Sequence, residues 1–369
     1  FDDCNYSAFF LSDKYSLNQD LPNSADELKN TYEIAEKCET YSILNKPILP
    51  PFNCPNGLSE EEYLRQICRD GWTRKIAKKI PKAQQGVYVD RIKSELDILQ
   101  GAGLSPYFLV LHDILDWCRS QNYLVGCGRG SAAGSLTAYL SDITAIDPIK
   151  HNLIFSRFYN AGRNTKDHTA MPDIDFDVPS RAREHVIKYI ENRYNPENVA
   201  QMITYQNFKG RSSIKEVLRV YANLNYAEMN KISEPIPDEA KIADELQEMF
   251  EEEGESSIIK WALENRGKQL EEWCKLEDDG SLSGPLSKRF EQAIRLEGIK
   301  KSQGRHPAGV VISPTPIAEV CPMIYDKHTD GVIAGYEMTS IESIGLVKLD
   351  CLAISVLDKI QDCCTDIIM

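Results

Sequence analysis

Apolar positions recur three and four residues apart over Glu60–Ile80, Tyr88–Leu99 and Tyr107–Arg119. That spacing gathers one face of a helix against a core. The first 45 residues carry the same pattern more weakly, with Ser24 and Glu27 set as an S-x-x-E capping box before Leu28–Cys38. Lys46–Gly57 contains four prolines and a glycine and reads as a linker. Further on the period changes. Tyr123–Gly126 is a short strand candidate, and small residues from Ser131 to Leu140 predict a helix. Met171–Val178 alternates strictly and predicts a strand, with a Ser-capped helix over Ser180–Tyr194 after it. Val199–Thr204 follows as a strand and Phe208–Tyr221 as a helix. Glu234–Gly280 is rich in acids and poor in β-branched residues, predicting polar helices, and Pro285–Gly298 predicts another. Val310–Ser313, Val332–Tyr336 and Gly345–Asp350 are strand candidates, and Ser355–Met369 is apolar at helical spacing. Helices and strands do not alternate regularly, which predicts an α+β fold rather than a doubly wound sheet.

The alternating strand changes the picture most. In Pro172-Asp173-Ile174-Asp175-Phe176-Asp177-Val178 the three aspartates share one face, and Ile174, Phe176 and Val178 share the other. Same-face neighbours on a strand lie about 6–7 Å apart, and two carboxylates ~5 Å apart at an effective dielectric near 20 repel by roughly 3 kcal/mol. Such a face needs either full solvation or cations, and hard divalent ions such as Mg²⁺ take carboxylate oxygens. Gly345-Leu346-Val347-Lys348-Leu349-Asp350 ends an apolar run in an acid, with Lys348 on the same face as Asp350. Asp350 is therefore a candidate third carboxylate, or an ordinary strand-end acid. Gly126-Cys127-Gly128-Arg129-Gly130-Ser131 lies between a strand and a helix candidate, where backbone amides and a helix N-terminus receive anions. It matches neither G-x-x-x-x-G-K-[ST] nor a full G-x-G-x-x-G. Lys209, Arg211, Lys215 and Arg219 fall on one predicted helix, the last three at i, i+4, i+8. That is a candidate nucleic-acid contact or a solvated face.

Composition narrows the alternatives. The 369 residues are enough for two or three domains. With 42% hydrophobic and 27% charged residues, the chain is of ordinary globular type. No apolar run reaches the ~18 residues of a membrane span, and no basic-then-apolar N-terminus suggests a signal peptide. The chain begins at Phe1, which is expected of a partial chain. Eleven cysteines without a C-x-x-C pair suit reduced thiols and a cytoplasmic location. A net charge of −14 gives no general attraction to nucleic acid, so such binding would depend on a local basic surface. The six histidines form no ligand-spaced cluster.

Three motifs together carry a resemblance: Gly-Arg-Gly-Ser-Ala-Ala-Gly-Ser at 128–135, Met-Pro-Asp-Ile-Asp-Phe-Asp at 171–177 and Gly-Leu-Val-Lys-Leu-Asp at 345–350. In this order and at these separations they resemble the bacterial C-family replicative DNA polymerases, the family of the DNA polymerase III alpha subunit. Ser105–Val110, Asp147-Pro148, Phe155–Phe158, Gln201–Thr204 and His306–Ile312 are similar to that family as well. The resemblance spans most of residues 25–360. It implies a polymerase beta-like nucleotidyltransferase palm with a mixed sheet and an inserted, mostly helical thumb. The implied division is a helical segment at 1–45 (the possible end of a PHP domain), palm at 46–206, thumb at 207–298, and palm again at 299–369 with the start of the fingers connection. The implied chemistry is template-directed transfer of deoxynucleotides from dNTP to a primer 3′-hydroxyl.

By position, Asp175, Asp177 and Asp350 match the catalytic aspartates that hold two Mg²⁺ ions, with Mn²⁺ as a substitute. Asp173 is then a neighbour in the motif. Gly128, Arg129, Gly130 and Ser131 match the triphosphate loop, with Arg157 and Lys348 as nearby basic residues. Lys209, Arg211, Lys215 and Arg219 would face duplex DNA at the start of the thumb. Implied partners are primer–template DNA, dNTP and replisome subunits such as the sliding clamp, through regions outside these residues, and no membrane. Cys127 stands where the family has Pro, and His306-Pro307-Ala308-Gly309 where it has His-Ala-Gly-Gly, which suggests a divergent member. A palm–thumb core without fingers is expected to be weakly active or inactive alone. The remaining alternatives are a non-templated nucleotidyltransferase and a non-catalytic DNA-binding module.

Overall fold

A computed structural model describes residues 25–160, 162, 171–221, 224–326 and 331–368. The chain divides into two compact units at Asn45/Lys46. In the first, a helix runs over Ala25–Lys37. Its expected cap, Ser24, lies outside the described residues.

The second unit is built on eight strands: β1 (Asp175–Pro179), β2 (Val199–Asn207), β3 (Lys275–Leu276), β4 (Leu282–Ser283), β5 (Lys300–Ile312), β6 (Met323–Asp326), β7 (Gly331–Ala334) and β8 (Val347–Ile354). Six of them form one mixed sheet in the order β1-β8-β5-β2-β7-β6. β1 is parallel to β8, β8 antiparallel to β5, and β5 antiparallel to β2. The expected α+β character and mixed sheet are both present.

Alternation decides which face each residue joins. Ile174, Phe176, Val178, Leu349, Cys351 and Val310 enter the main core with helices Glu60–Lys75, Lys82–Gly101, Ser105–Ser120 and Arg183–Tyr194. Ala200, Met202, Val311 and Leu346 enter a smaller core on the other side. A third core, with Ile214, Leu218, Ile259, Leu263 and Phe290, packs helices Gly210–Tyr221, Ile258–Leu270 and Ser287–Leu296 around the β3–β4 hairpin. No single helix among the described residues is long and apolar enough to cross a membrane. The described cysteines are all free thiols.

Several elements differ from expectation for identifiable reasons. Tyr123–Gly126 is irregular rather than a strand. The Leu124 N–H donates to the Gln361 side chain at 3.1 Å, and Gly126 reaches the Asp177 carbonyl at 3.0 Å. The helix expected over Ser131–Leu140 is broken into a 3-10 turn, Gly130–Gly134, and a helix, Leu136–Leu140. Ser135 is extended between them and caps the second, its hydroxyl accepting from Ala138 N–H at 3.1 Å. Ser180 does not cap the next helix: the backbone N–H groups of Ser180 and Arg181 point instead to the Asp358 carboxylate. Within the acidic segment, Asp278-Asp279-Gly280 makes a hairpin rather than a helix, because Gly280 takes φ +81°.

Glu297, beside that third core, sets a pH dependence. Its carboxylate accepts from the Ser257 hydroxyl at the start of the Ile258–Leu270 helix. Burial nevertheless pushes it from 4.5 up to about 7, against the hydrogen bonds from Ser257 and the Ile259 and Ile258 amides. The folded state therefore holds a proton that the unfolded chain has released. That contribution is complete below about pH 4.5 and is lost as pH rises through about 7. Urea titrations from pH 5 to 8 should show stability falling by up to about 3 kcal/mol. Glu297→Gln should flatten that slope, and an unchanged slope would refute the assignment.

Candidate active site

β1 and β8 lie side by side, with Asp175 directly opposite Asp350. Since Phe176, Val178, Leu349 and Cys351 point into the main core, Asp175, Asp177 and Asp350 take the opposite face. Asp173, in the extended segment just before β1, takes it too. Oxygens of Asp173, Asp175 and Asp350 lie within 4.8 Å of one another. Two of the three expected carboxylates thus converge, and the third member of the group is Asp173, which the family resemblance had made a neighbour in the motif. Asp177 faces Leu352 further along β8, and its Oδ1 lies 3.0 Å from the Arg129 guanidinium. Its Cβ would sit 2.6 Å from a side chain at Gly126, so the glycine there lets the loop approach the strand.

The group is under electrostatic load. Burial, and then the charges of Asp173 and Asp350, hold the Asp175 carboxyl above its ordinary range, with Arg129 and Lys348 partly relieving them. Lys348 donates to Asp350 Oδ2 at 2.6 Å. Burial alone would lower the Lys348 ammonium, but that hydrogen bond and the surrounding acids raise it. Asp350 Oδ1 is buried and accepts no hydrogen bond. A buried carboxylate oxygen left without a donor, beside two more carboxylates, is the donor set of a hard divalent cation. Asp173, Asp175 and Asp350 could hold such a cation.

Three supporting residues have no signal in the hydropathy pattern. Tyr107, fully buried on the Ser105–Ser120 helix, accepts from Ile174 N–H at 3.2 Å and so fixes the backbone between Asp173 and Asp175. His306 Nδ1 accepts from Gly309 N–H at 2.7 Å, shaping β5 where Gly309 lies opposite Asp350. Burial lowers the His306 imidazole, which suits a neutral acceptor. The third is Glu95, wholly buried. Its carboxylate accepts from Leu136 N–H, Thr137 N–H, and the Ser135 and Thr137 hydroxyls at 2.9–3.1 Å, and from Arg91 Nε at 2.6 Å. Arg91 also donates to the Gly134 and Leu153 carbonyls.

The helix N-terminus that the glycine loop was expected to offer an anion is therefore already occupied by Glu95. The anion-receptive part is the turn itself, where Gly128 and Gly130 take φ +100° and +58° and Ser131 is exposed. Arg157 is exposed, with no ion pair among the described residues. A cleft of about 240 Å³ lies beside the acids, lined by Tyr107, Met171, Asp173, Met338 and Lys348 among others.

The basic stripe at 209–219 is engaged internally. Lys209 pairs with Glu239, and Arg211 with Asp238 and the Ile236 and Glu234 carbonyls. Lys215 pairs with Asn230, and Arg219 with Glu216. Neighbouring acids offset the positive charge read from that helix alone.

The chain is similar to proteins named DNA polymerase III subunit alpha. For that of Aquifex aeolicus (strain VF5), identity is 34% over 90% of this chain and 28% of the relative. For those of Pseudomonas aeruginosa and Bacillus subtilis (strain 168), identity is 33% and 32%, over 94% and 91% of this chain and 27% of each relative. The chain thus spans a little over a quarter of the length of these relatives. The family model described as the bacterial DNA polymerase III alpha NTPase domain matches residues 62–353, a stretch that contains all three converging acids, the glycine turn and Lys348. The chain belongs to the bacterial DNA polymerase III alpha NTPase domain family.

Proposed function

We propose that this chain is the palm–thumb core of a template-directed DNA polymerase, with a polymerase beta-like nucleotidyltransferase palm. Its proposed reaction is transfer of a deoxynucleotide from dNTP to a primer 3′-hydroxyl with release of pyrophosphate. The observation that carries this reading is the convergence of Asp173, Asp175 and Asp350 beside an exposed glycine turn.

In this reading, Asp173, Asp175 and Asp350 hold the divalent ions, two of them in a phosphoryl-transfer site of this kind. Those ions supply Lewis-acid chemistry, lowering the pKa of the attacking hydroxyl and neutralising the leaving pyrophosphate. The chain's own groups position and balance charge. Lys348, 2.6 Å from Asp350, offsets the acids and would be placed to meet a phosphate oxygen beside them. The amides of Gly128–Ser131 and the Ser131 hydroxyl receive the triphosphate, and exposed Arg157 adds a guanidinium. Arg129 holds Asp177 against the turn and thereby ties the loop to β1. The proposed thumb, residues 207–298, has its own core. It would lie along the duplex, with Lys209, Arg211, Lys215 and Arg219 reaching phosphates by exchanging their present carboxylate partners. Further replisome subunits, such as a sliding clamp, would be engaged through other regions.

The test is a titration with dNTP, Mn²⁺ and primer–template. The proposal expects metal-dependent dNTP binding that a recessed primer–template strengthens. Metal-dependent binding indifferent to DNA would favour a non-templated transferase, and none at all would leave a non-catalytic DNA-binding module.

A further inference from the structure

A second cleft, of about 400 Å³, lies against the glycine loop but is lined by none of Asp173, Asp175, Asp350, Lys348 or Gly128–Ser131. Its walls carry Lys75, Lys79 and Arg119 against a single carboxylate, Asp142. In a chain of net charge −14 that is a local reversal of sign. Asp142 is already shared: Lys75 Nζ lies 2.7 Å from it, Arg74 pairs with it as well, and Arg119 donates to its backbone carbonyl. Lys79 is exposed and has no ion pair among the described residues.

An independent observation points to a missing acceptor–donor partner. Thr144 lines the cleft, is 3% exposed, and its hydroxyl oxygen is buried without any hydrogen bond. Buried hydroxyls are nearly always satisfied, so an unsatisfied one on a residue that lines a cationic cleft is a candidate partner for a ligand oxygen there. Two tyrosines, Tyr123 and Tyr139, complete the setting. The Lys75 ammonium lies 4.2 Å over the Tyr139 ring. Burial pulls the Lys75 ammonium below its ordinary range even though Asp142 is bonded to it, with Arg74 and Arg119 adding to the fall. One carboxylate does not balance these cations, and a bound anion would.

We propose that this cleft is a second phosphate site, taking a phosphoryl group of free pyrophosphate or of a nucleic-acid strand. Lys79 and Arg119 meet the oxyanions and the Thr144 hydroxyl donates to one of them. The site also reports to the turn: a side chain at Gly128 would meet Thr144 Cγ2 at 2.7 Å, so Thr144 props the turn from behind.

The test is calorimetry on the 369-residue chain at low salt with EDTA, so that the proposed metal-dependent chemistry plays no part. Pyrophosphate and a ten-nucleotide oligothymidylate are the probes. One equivalent of pyrophosphate should bind. Lys79→Glu should weaken it about tenfold, and Thr144→Val should weaken it without altering the circular dichroism spectrum. Asp175→Asn should leave it unchanged. If pyrophosphate displaces the oligonucleotide, the occupant is a strand phosphate. If only pyrophosphate binds, it is the free anion. Absence of binding by both probes, or wild-type affinity in both Lys79→Glu and Thr144→Val, would overturn the proposal.

Discussion

Asp350→Asn should remove high-affinity Mn²⁺ binding from this chain, lowering the affinity by about a hundredfold or more, while leaving the fold intact. The substitution keeps shape and volume. It removes one of three negative charges and the buried oxygen that accepts no hydrogen bond. It also removes the negative charge that balances Lys348, whose ammonium, 2.6 Å from that side chain, then repels any incoming cation. Asp173→Asn and Asp175→Asn should cost a similar amount. Asp177→Asn should cost far less, because Asp177 is paired with Arg129 and stands outside the cluster. Mn²⁺ titration monitored by electron paramagnetic resonance, with thermal melts as the folding control, reads all four. If Asp177→Asn proved as damaging as Asp350→Asn, and Asp173→Asn harmless, the motif-derived trio would be right and the geometric one wrong.

Glu95→Ala should be strongly destabilising. A fully buried carboxylate there accepts from two backbone amides, two hydroxyls and a guanidinium. Removing it leaves Arg91 as an uncompensated charge and several buried donors empty, a loss of roughly 3–5 kcal/mol. For a unit of this size the melting temperature should fall by about 4–7 °C. Glu95→Gln, which keeps the volume and one acceptor oxygen, should recover part of the loss. A fall of less than about 3 °C for Glu95→Ala would show that the Leu136–Leu140 helix does not depend on this contact.

Alternation made much of the site legible. Ile174, Phe176 and Val178 are buried as expected, and the aspartates between them share the other face. The pairing of Asp175 with Asp350 was accessible only through resemblance, since nothing local says that residues 175 residues apart become strand neighbours. The grouping of Asp173, rather than Asp177, with Asp175 and Asp350 was not legible in the motif. On a strand the three are equivalent, and Arg129, arriving from the glycine loop, breaks the equivalence. Glu95 was hidden for a related reason. On its own helix it is one more polar residue, and its role appears only when the Ser135–Thr137 backbone folds over it. The partners of the basic stripe were hidden as well, because Asp238 and Glu239 lie outside its helix.

The most direct measurement is a crystal structure of the chain soaked in Mn²⁺, with anomalous scattering used to locate the metal. The account predicts manganese coordinated by oxygens of Asp173, Asp175 and Asp350, with Lys348 displaced from Asp350. Manganese bound elsewhere, or none at saturating concentration with those three carboxylates still solvated and Lys348 still in place, would contradict it.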